Sequence, residues 1–218
     1  MGSNMLDLNV DRQFASVHPS QHSKIKRCID ILGALVGLGI TTLLFIPIAI
    51  AIRIDSKGPI LYSQFRCGYR GKPIKIWKFR SMVANADQLK NQVINQATGH
   101  IFKNKNDPRI TRVGRFLRRT SIDELPQFWN VLVGQMSLVG TRPPTIDEVQ
   151  KYSHYHWNRL NVKPGLTGEW QVSGRSSLQD FEAIVEMDLR YQQRWSIFYD
   201  LLLILRTFYV IFRGIGAF

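Results

Sequence analysis

From Ile31 to Ile52 the chain runs for 22 residues without a charged side chain. As a helix this stretch is about 33 Å long, close to the thickness of a bilayer's hydrocarbon core. A helix buried in a soluble core is the competing form, but an uncharged run of this length selects for lipid. It is too long, and begins too far from the start, to be a signal peptide. Pro47 lies inside it, where a missing N–H and a ring clash predict a kink. Basic residues stand at both ends, Lys24, Lys26 and Arg27 before and Arg53 and Lys57 after. Positive flanks favour the cytoplasmic side, so flanks of one sign predict a segment that dips into the membrane and returns. A kinked spanning helix is the alternative. Gly33 and Gly37 have the GxxxG spacing of a helix-packing face.

The remaining composition narrows the class. A mean hydropathy of −0.12 excludes a polytopic membrane protein. Cys28 and Cys67 are too few for a disulfide framework and lack zinc-ligand spacing, which fits a reducing compartment. Twenty-nine Lys and Arg against 16 Asp and Glu give a net charge of +13. Such an excess needs an anionic partner: nucleic acid, membrane phospholipid or a phosphorylated substrate. Nucleic acid accounts for the charge but not for the uncharged run, so none is expected as a partner. Lys24, Lys26, Arg27 and Arg53 border that run, where each basic residue near anionic lipid contributes about 1 kcal/mol.

Three segments follow along the chain. Residues 1–23 read as a disordered leader, polar and aperiodic, with a Met1-Gly2-Ser3 start of cloning origin. Residues 24–56 form the re-entrant membrane helix region, and residues 57–218 a catalytic domain on the cytoplasmic face. In that domain, short β-type runs at Ile60–Phe65 and Ile74–Phe79 enclose Gly68, Gly71 and Pro73, the pattern of a hairpin. Helices are expected over Asp87–Ala97, Ile110–Leu117, Ile122 to Val133, Leu178–Trp195 and, as an interfacial amphipathic helix, Ile197–Phe212. The fold class is helix-rich α+β with a small β-hairpin and amphipathic surface helices.

No P-loop, GxSxG elbow, HExxH or strand-to-helix GxGxxG is present. His154 and His156 lack ligand-spaced partners and read as surface residues. The informative stretch is Arg118-Arg119-Thr120-Ser121-Ile122-Asp123-Glu124-Leu125-Pro126-Gln127. Ser121 and Glu124 have capping-box spacing. Ile122, Leu125, Trp129 and Leu132 would form an apolar stripe, with Asp123, Gln127 and Asn130 turned away from the core. Two readings stand side by side. The acids cap a helix and complement its dipole, or carboxylates beside arginines bind a divalent cation and phosphate. Oxygen ligands suit Mg²⁺ or Mn²⁺, and an aspartate can attack phosphorus. Lys78, Arg80 and Arg142 supply further cations. Asp188 falls on the apolar face set by Phe181, Ile184 and Val185, so it needs either an arginine or the active site as partner.

Taken together, the motifs resemble the bacterial sugar transferase family, monotopic phosphoglycosyl transferases acting on polyprenyl phosphate. They are Lys26-Arg27 with Asp30, Lys78-Phe79-Arg80-Ser81-Met82, Asn106-Asp107-Pro108-Arg109-Ile110-Thr111 and the Thr120–Gln127 segment. Met136–Pro143, Lys163–Gly168 and Gln171–Arg175 follow in order, so the likeness covers about residues 24–216. The resemblance implies a catalytic pair at Asp123 and Glu124, with Mg²⁺ (or Mn²⁺) held at Asp123. It implies substrate-binding roles for Lys78, Arg80, Arg118 and Arg142, and points also to Arg175 and Asp188. It further implies a re-entrant helix marked by Asp30 and Pro47 on the bacterial inner membrane's cytoplasmic face. Two departures stand out: Thr141 where proline is expected, which would loosen the Arg142 loop, and Ile46 before Pro47 where serine is frequent.

The implied reaction moves a sugar 1-phosphate from a nucleotide diphosphate sugar, a UDP-hexose such as UDP-glucose or UDP-galactose, to polyprenyl phosphate, releasing UMP through an aspartyl intermediate. It would initiate exopolysaccharide, O-antigen or capsule assembly. Membrane lipid is a further partner, and an oligomer is compatible with the chain. The rival reading is a non-enzymatic basic membrane adapter, which has no need of Asp123-Glu124 beside arginines.

Overall fold

The computed structural model describes residues 16–174 and 180–213; residues 1–15 of the leader and Arg175 lie outside them. The last leader residues pack on the body. A 3-10 turn at Pro19–Gln21 is fastened by His18 Nε2, 2.9 Å from the carbonyl of Gln192.

Ser23 opens α1 (Lys24–Asp55), its hydroxyl accepting from the Lys26 N–H, the usual N-cap arrangement. At 32 residues α1 is about 48 Å long and runs through Pro47. Among the described residues it is the one helix long and apolar enough to cross a membrane. Its buried residues, Lys26, Asp30, Ala34, Gly37, Thr41, Ile48 and Ile52, recur at three-, four- and seven-residue steps and make one stripe. Leu32, Val36, Leu43, Ile46 and Ile50 are exposed outside that stripe. The two glycines permit close packing: a Cβ on Gly33 would meet Leu138 at 2.5 Å, and one on Gly37 would meet the Phe128 ring at 2.4 Å.

Both ends of α1 are fastened to the same body. At the start, Lys26 Nζ donates to Asp200 Oδ2 (2.6 Å) and to the Val139 carbonyl (3.0 Å). Asp30 Oδ1 accepts from the Leu138 N–H and the Ser137 hydroxyl, each at 2.8 Å. At the finish, Arg80 donates to the carbonyls of Ser56 (2.5 Å) and Lys57 (2.9 Å). Of the flanking cations expected at the lipid surface, two turn inward. Lys26 enters the Asp200 pair, and Arg27 donates to the carbonyls of Val131 and Leu132. Lys24, Arg53 and Lys57 stay exposed.

The hairpin forms where the period-2 runs predict it, with β1 (Leu61–Cys67) antiparallel to β2 (Pro73–Phe79) and Leu61 opposite Phe79. The helix expected over Asp87–Ala97 is instead irregular, with a single 3-10 turn at Lys90–Gln92. Asn95 accounts for part of this: its Oδ1 accepts from the N–H groups of Ala97 and Lys103, and its Nδ2 donates to the Ile101 carbonyl. Side-chain bonds of that kind compete with a helical ladder.

Next come α2 (Arg112–Arg119), capped by Thr111, a 3-10 helix at Ile122–Gln127, and α3 (Phe128–Leu132). A second sheet pairs β3 (Ser137–Val139) in parallel with β4 (Gly165–Thr167). Between them lie α4 (Ile146–Val149) and α5 (His154–Trp157). After β4 follow α6 (Glu169–Val172), α7 (Phe181–Arg194) and α8 (Ile197–Arg213). One apolar cluster joins Ile48 and Ile52 of α1 to Phe79 and Leu117; another joins Trp157, Trp170, Phe181, Ile184 and Val185. The surface expected for His156 is also corrected: it is buried, and its Nε2 lies 3.0 Å from Glu182.

Candidate active site

The site grows out of an irregular step in the chain. After α2 ends, Ser121 adopts φ 58°, and its side chain caps nothing. The expected capping box is therefore absent. A left-handed serine costs about 1 kcal/mol, and strain of that kind concentrates where a neighbouring group must be aimed. Residues 122–127 then wind as a 3-10 helix containing Pro126, which has no N–H to give an α-helical ladder. The faces expected of a single α-helix therefore hold only in part: Ile122, Leu125 and Leu132 pack against the core, but the polar positions are buried too. Asp123, Gln127 and Asn130 are 6%, 3% and 1% exposed, while Trp129 is 53% exposed. Asn130 Nδ2 donates to the Lys75 carbonyl of β2 at 2.8 Å, which holds this polar face against the hairpin.

Lys78 of β2 closes a 2.5 Å ion pair with Glu124, both groups partly open to solvent. Arg118, in the last turn of α2, donates from Nε to the Ser81 hydroxyl at 2.8 Å. Arg142 sits on a loop fastened on several sides. Gly140 N–H donates to Thr167, Gly165 N–H to Thr141, and the Thr141 hydroxyl to the Arg159 carbonyl at 3.1 Å. Thr141 is 1% exposed, and its side chain ties this loop to Arg159 at the position where proline is expected.

Two expected members stand apart. Arg80 is folded back on the carbonyl end of α1 and does not join Lys78. Asp188 is 1% exposed and paired with Arg159 Nη2 at 2.7 Å. Of its two readings, the arginine partner holds. Burial, offset in part by Arg159, leaves its carboxyl raised to about 6. Since Thr141 bonds the Arg159 carbonyl, Asp188 braces the Arg142 loop from behind.

Two cations escape sequence reasoning. Arg66 of β1 donates to the Pro143 carbonyl (3.2 Å), and burial, then Arg142, push its guanidinium down to about 10 while Glu124 and Glu148 oppose this. Lys103 lies 5.1 Å above the Trp170 ring and Arg142 lies 5.7 Å from the same ring. Burial, then Arg142, push the Lys103 ammonium down to about 8. The Arg142 charge acts on both Arg66 and Lys103, which defines a patch that an anion would relieve. A lone arginine on a strand or a lysine in a polar loop carries no signal of this in sequence; only the fold brings them together.

Among the described residues no group of three His, Cys, Asp or Glu is arranged to hold a metal. Asp123 and Glu124 remain as oxygen donors adjacent in sequence, Glu124 paired with Lys78.

The bacterial sugar transferase family profile matches residues 21–214. A galactosyl transferase, CpsE, of Streptococcus agalactiae is 50% identical over 198 residues, 90% of this chain and 44% of that protein. An Escherichia coli protein named UDP-glucose:undecaprenyl-phosphate glucose-1-phosphate transferase is 42% identical over 197 residues, covering 87% and 40%. The exopolysaccharide production protein ExoY of Rhizobium meliloti is 38% identical over 188 residues, covering 84% and 83%. The chain thus spans about two fifths of the length of the first two relatives and most of the third.

Proposed function

We propose, from the premise that this chain belongs to the bacterial sugar transferase family, that it transfers a sugar 1-phosphate from a UDP-hexose to polyprenyl phosphate. The observation that carries the reading is Asp123: a carboxylate 6% exposed, set behind a left-handed serine and beside an ion pair of Glu124 with Lys78. In this reading the Asp123 carboxylate attacks the sugar-bearing phosphorus. The bond to the nucleoside monophosphate breaks, UMP leaves, and a sugar-phosphoryl aspartate remains. An oxygen of the lipid phosphate then attacks that phosphorus, the acyl phosphate bond breaks, and Asp123 is released as carboxylate. Arg118, Arg142 and Arg66 offset the diphosphate charge, while Lys78 holds Glu124 in place. Glucose and galactose are the proposed sugars, and polysaccharide assembly the proposed use.

A divalent cation fits the donor set. Two adjacent carboxylates without a third protein ligand suit an ion that keeps waters and substrate phosphate oxygens in its shell, the habit of Mg²⁺. Asp123 would hold it with Glu124, and when bound it would neutralise phosphate charge.

Membrane association through α1 is proposed as monotopic, on the cytoplasmic face of the inner membrane. What supports this is the attachment of both its ends to one body, with an apolar outer face between them.

The test is single-turnover chemistry with a UDP-sugar bearing a radioactive β-phosphate. Labelled protein and one burst of UMP should appear before lipid is added, and chelation of divalent ions should abolish both. Asp123→Asn should lower turnover on the order of 10³-fold or more. Near-normal rates in that variant, or strictly sequential kinetics, would sink the covalent route. UMP release that never occurs with any UDP-sugar would return the chain to an adapter.

A further inference from the structure

The outer face of α2 has no part in the chemistry above. Arg112, Arg115 and Arg119 recur at i, i+3 and i+7 and form one stripe, with exposed Phe116 among them. Together with Lys105 they line a groove of about 420 Å³. Its one carboxylate, Asp107, is held by Arg109 at 2.7 Å. Among the described residues, Arg112, Arg115 and Arg119 form no ion pair. Nor does the helix itself call for this charge: cations in the first turns oppose its dipole, and only those in the last turn complement it. The opposite face of α2 is the one used for folding, Leu117 and Val113 packing with Ile48 and Ile52 of α1.

The height of α2 along α1 is set by a hydrogen bond. The Val113 N–H donates to Asp55 Oδ2 at 2.9 Å, and Asp55 is the last residue of α1. The arginine stripe therefore begins where the apolar segment gives way to Arg53, Asp55 and Lys57. With α1 in a bilayer, that level is the headgroup layer. We propose that the Arg112–Arg115–Arg119 groove of α2 is a docking site for anionic phospholipid headgroups, with Phe116 inserted among the acyl chains beneath them. Arginine forks match phosphate oxygens, and a basic amphipathic face with one aromatic residue is suited to an interface. This rests on the membrane-inserted reading of α1.

The test uses the full chain in nanodiscs of phosphatidylcholine, with or without phosphatidylglycerol. In a background of Cys28→Ser and Cys67→Ala, Phe116→Cys or Leu43→Cys carries a bimane probe. Quenching by nitroxide-labelled lipid reports its depth. The probe at position 116 should be quenched strongly in anionic discs and weakly in neutral ones. Arg112→Gln/Arg115→Gln/Arg119→Gln should lower the ratio of quenched to unquenched probe about fivefold per arginine. Equal quenching in both disc types, or an unchanged response in the triple variant, would overturn the proposal. Release of the probe by UDP or inorganic phosphate, beyond that by chloride at equal ionic strength, would make the groove a soluble-phosphate site and also overturn it. Position 43 should be quenched by acyl-chain nitroxide in both discs. If it is, and position 116 is silent, this proposal alone fails; if it is not, the membrane reading of α1 fails and takes the proposal with it.

Discussion

Replacing Lys26 by methionine isolates what holds the start of α1 to the body. Lys26 and Asp200 are 8% and 3% exposed at their side chains and meet at 2.6 Å. Breaking one partner of such a buried pair costs about 3–5 kcal/mol. The partners will not suffer equally. Without Lys26, Asp200 still accepts from Tyr191 Oη (2.8 Å) and Trp195 Nε1 (3.1 Å), so Lys26→Met should fall near 3 kcal/mol. Without Asp200, the ammonium keeps only the Val139 carbonyl for its three donors, so Asp200→Leu should approach about 5 kcal/mol. For a chain of this size each kcal/mol moves the midpoint by about 2–4 °C. Thermal unfolding in detergent should then show losses of about 6–12 °C for Lys26→Met and about 10–20 °C for Asp200→Leu. The pair Lys26→Met/Asp200→Leu removes both charges together, and its loss should be smaller than that of Asp200→Leu alone. A Lys26→Met midpoint within about 2 °C of the parent, or a double variant that loses the sum of the singles, would refute this account of the pair.

Lys103 gives the pH prediction. Its folded-state value of about 8 lies below that of the unfolded chain. Between these values the unfolded chain binds more protons, so this group's contribution to stability rises with pH. Binding runs the other way: above about pH 8 the ammonium by Trp170 is lost, and the KM for UDP-sugar should climb in the parent but not in Lys103→Met. A parallel climb in the variant would refute its part in donor binding. Gly114→Ala would place a Cβ 1.9 Å from the Ser81 carbonyl oxygen; α2 must shift, Arg118 should lose its bond to Ser81, and kcat/KM should fall about tenfold or more, checked by steady-state kinetics. Single cysteines at Ser23 and Ser56, without Cys28 and Cys67, should be protected together from an impermeant thiol reagent on intact cells. Labelling of one and not the other would mean a spanning helix, the form toward which Pro47→Leu should push the chain.

Periodicity sufficed where one face meets the core and the other stays outside it. The hairpin, α2, α7 and α8 are such elements. At residues 122–133 it held for Ile122, Leu125 and Leu132 and failed for Trp129 and the polar positions, because Pro126 and a left-handed Ser121 break the α-helical geometry on which an i, i+4 argument depends. Asp123 was nonetheless singled out, on local composition and on resemblance; its burial was not readable, because inward-facing polar residues look like a solvated face in one dimension. The β3–β4 pair was beyond reach for another reason. Strands of three residues, some 25 residues apart and joined in parallel, carry no repeat to detect. Arg66 and Lys103 matter only through their neighbours across the fold.

The double attachment of α1 bears on how the bilayer itself must behave. A helix held at one end matches lipid of different thickness by tilting. Here Asp200 grips the first turn and Arg80 the last, so α1 has no independent tilt. Adding a residue would not lengthen it usefully, since a turn of about 100° would swing Gly33 and Gly37 out of their contacts with Leu138 and Phe128. In the monotopic reading proposed above, any adjustment must then come from the lipid around the protein. In that reading the body keeps a fixed height against the headgroup layer.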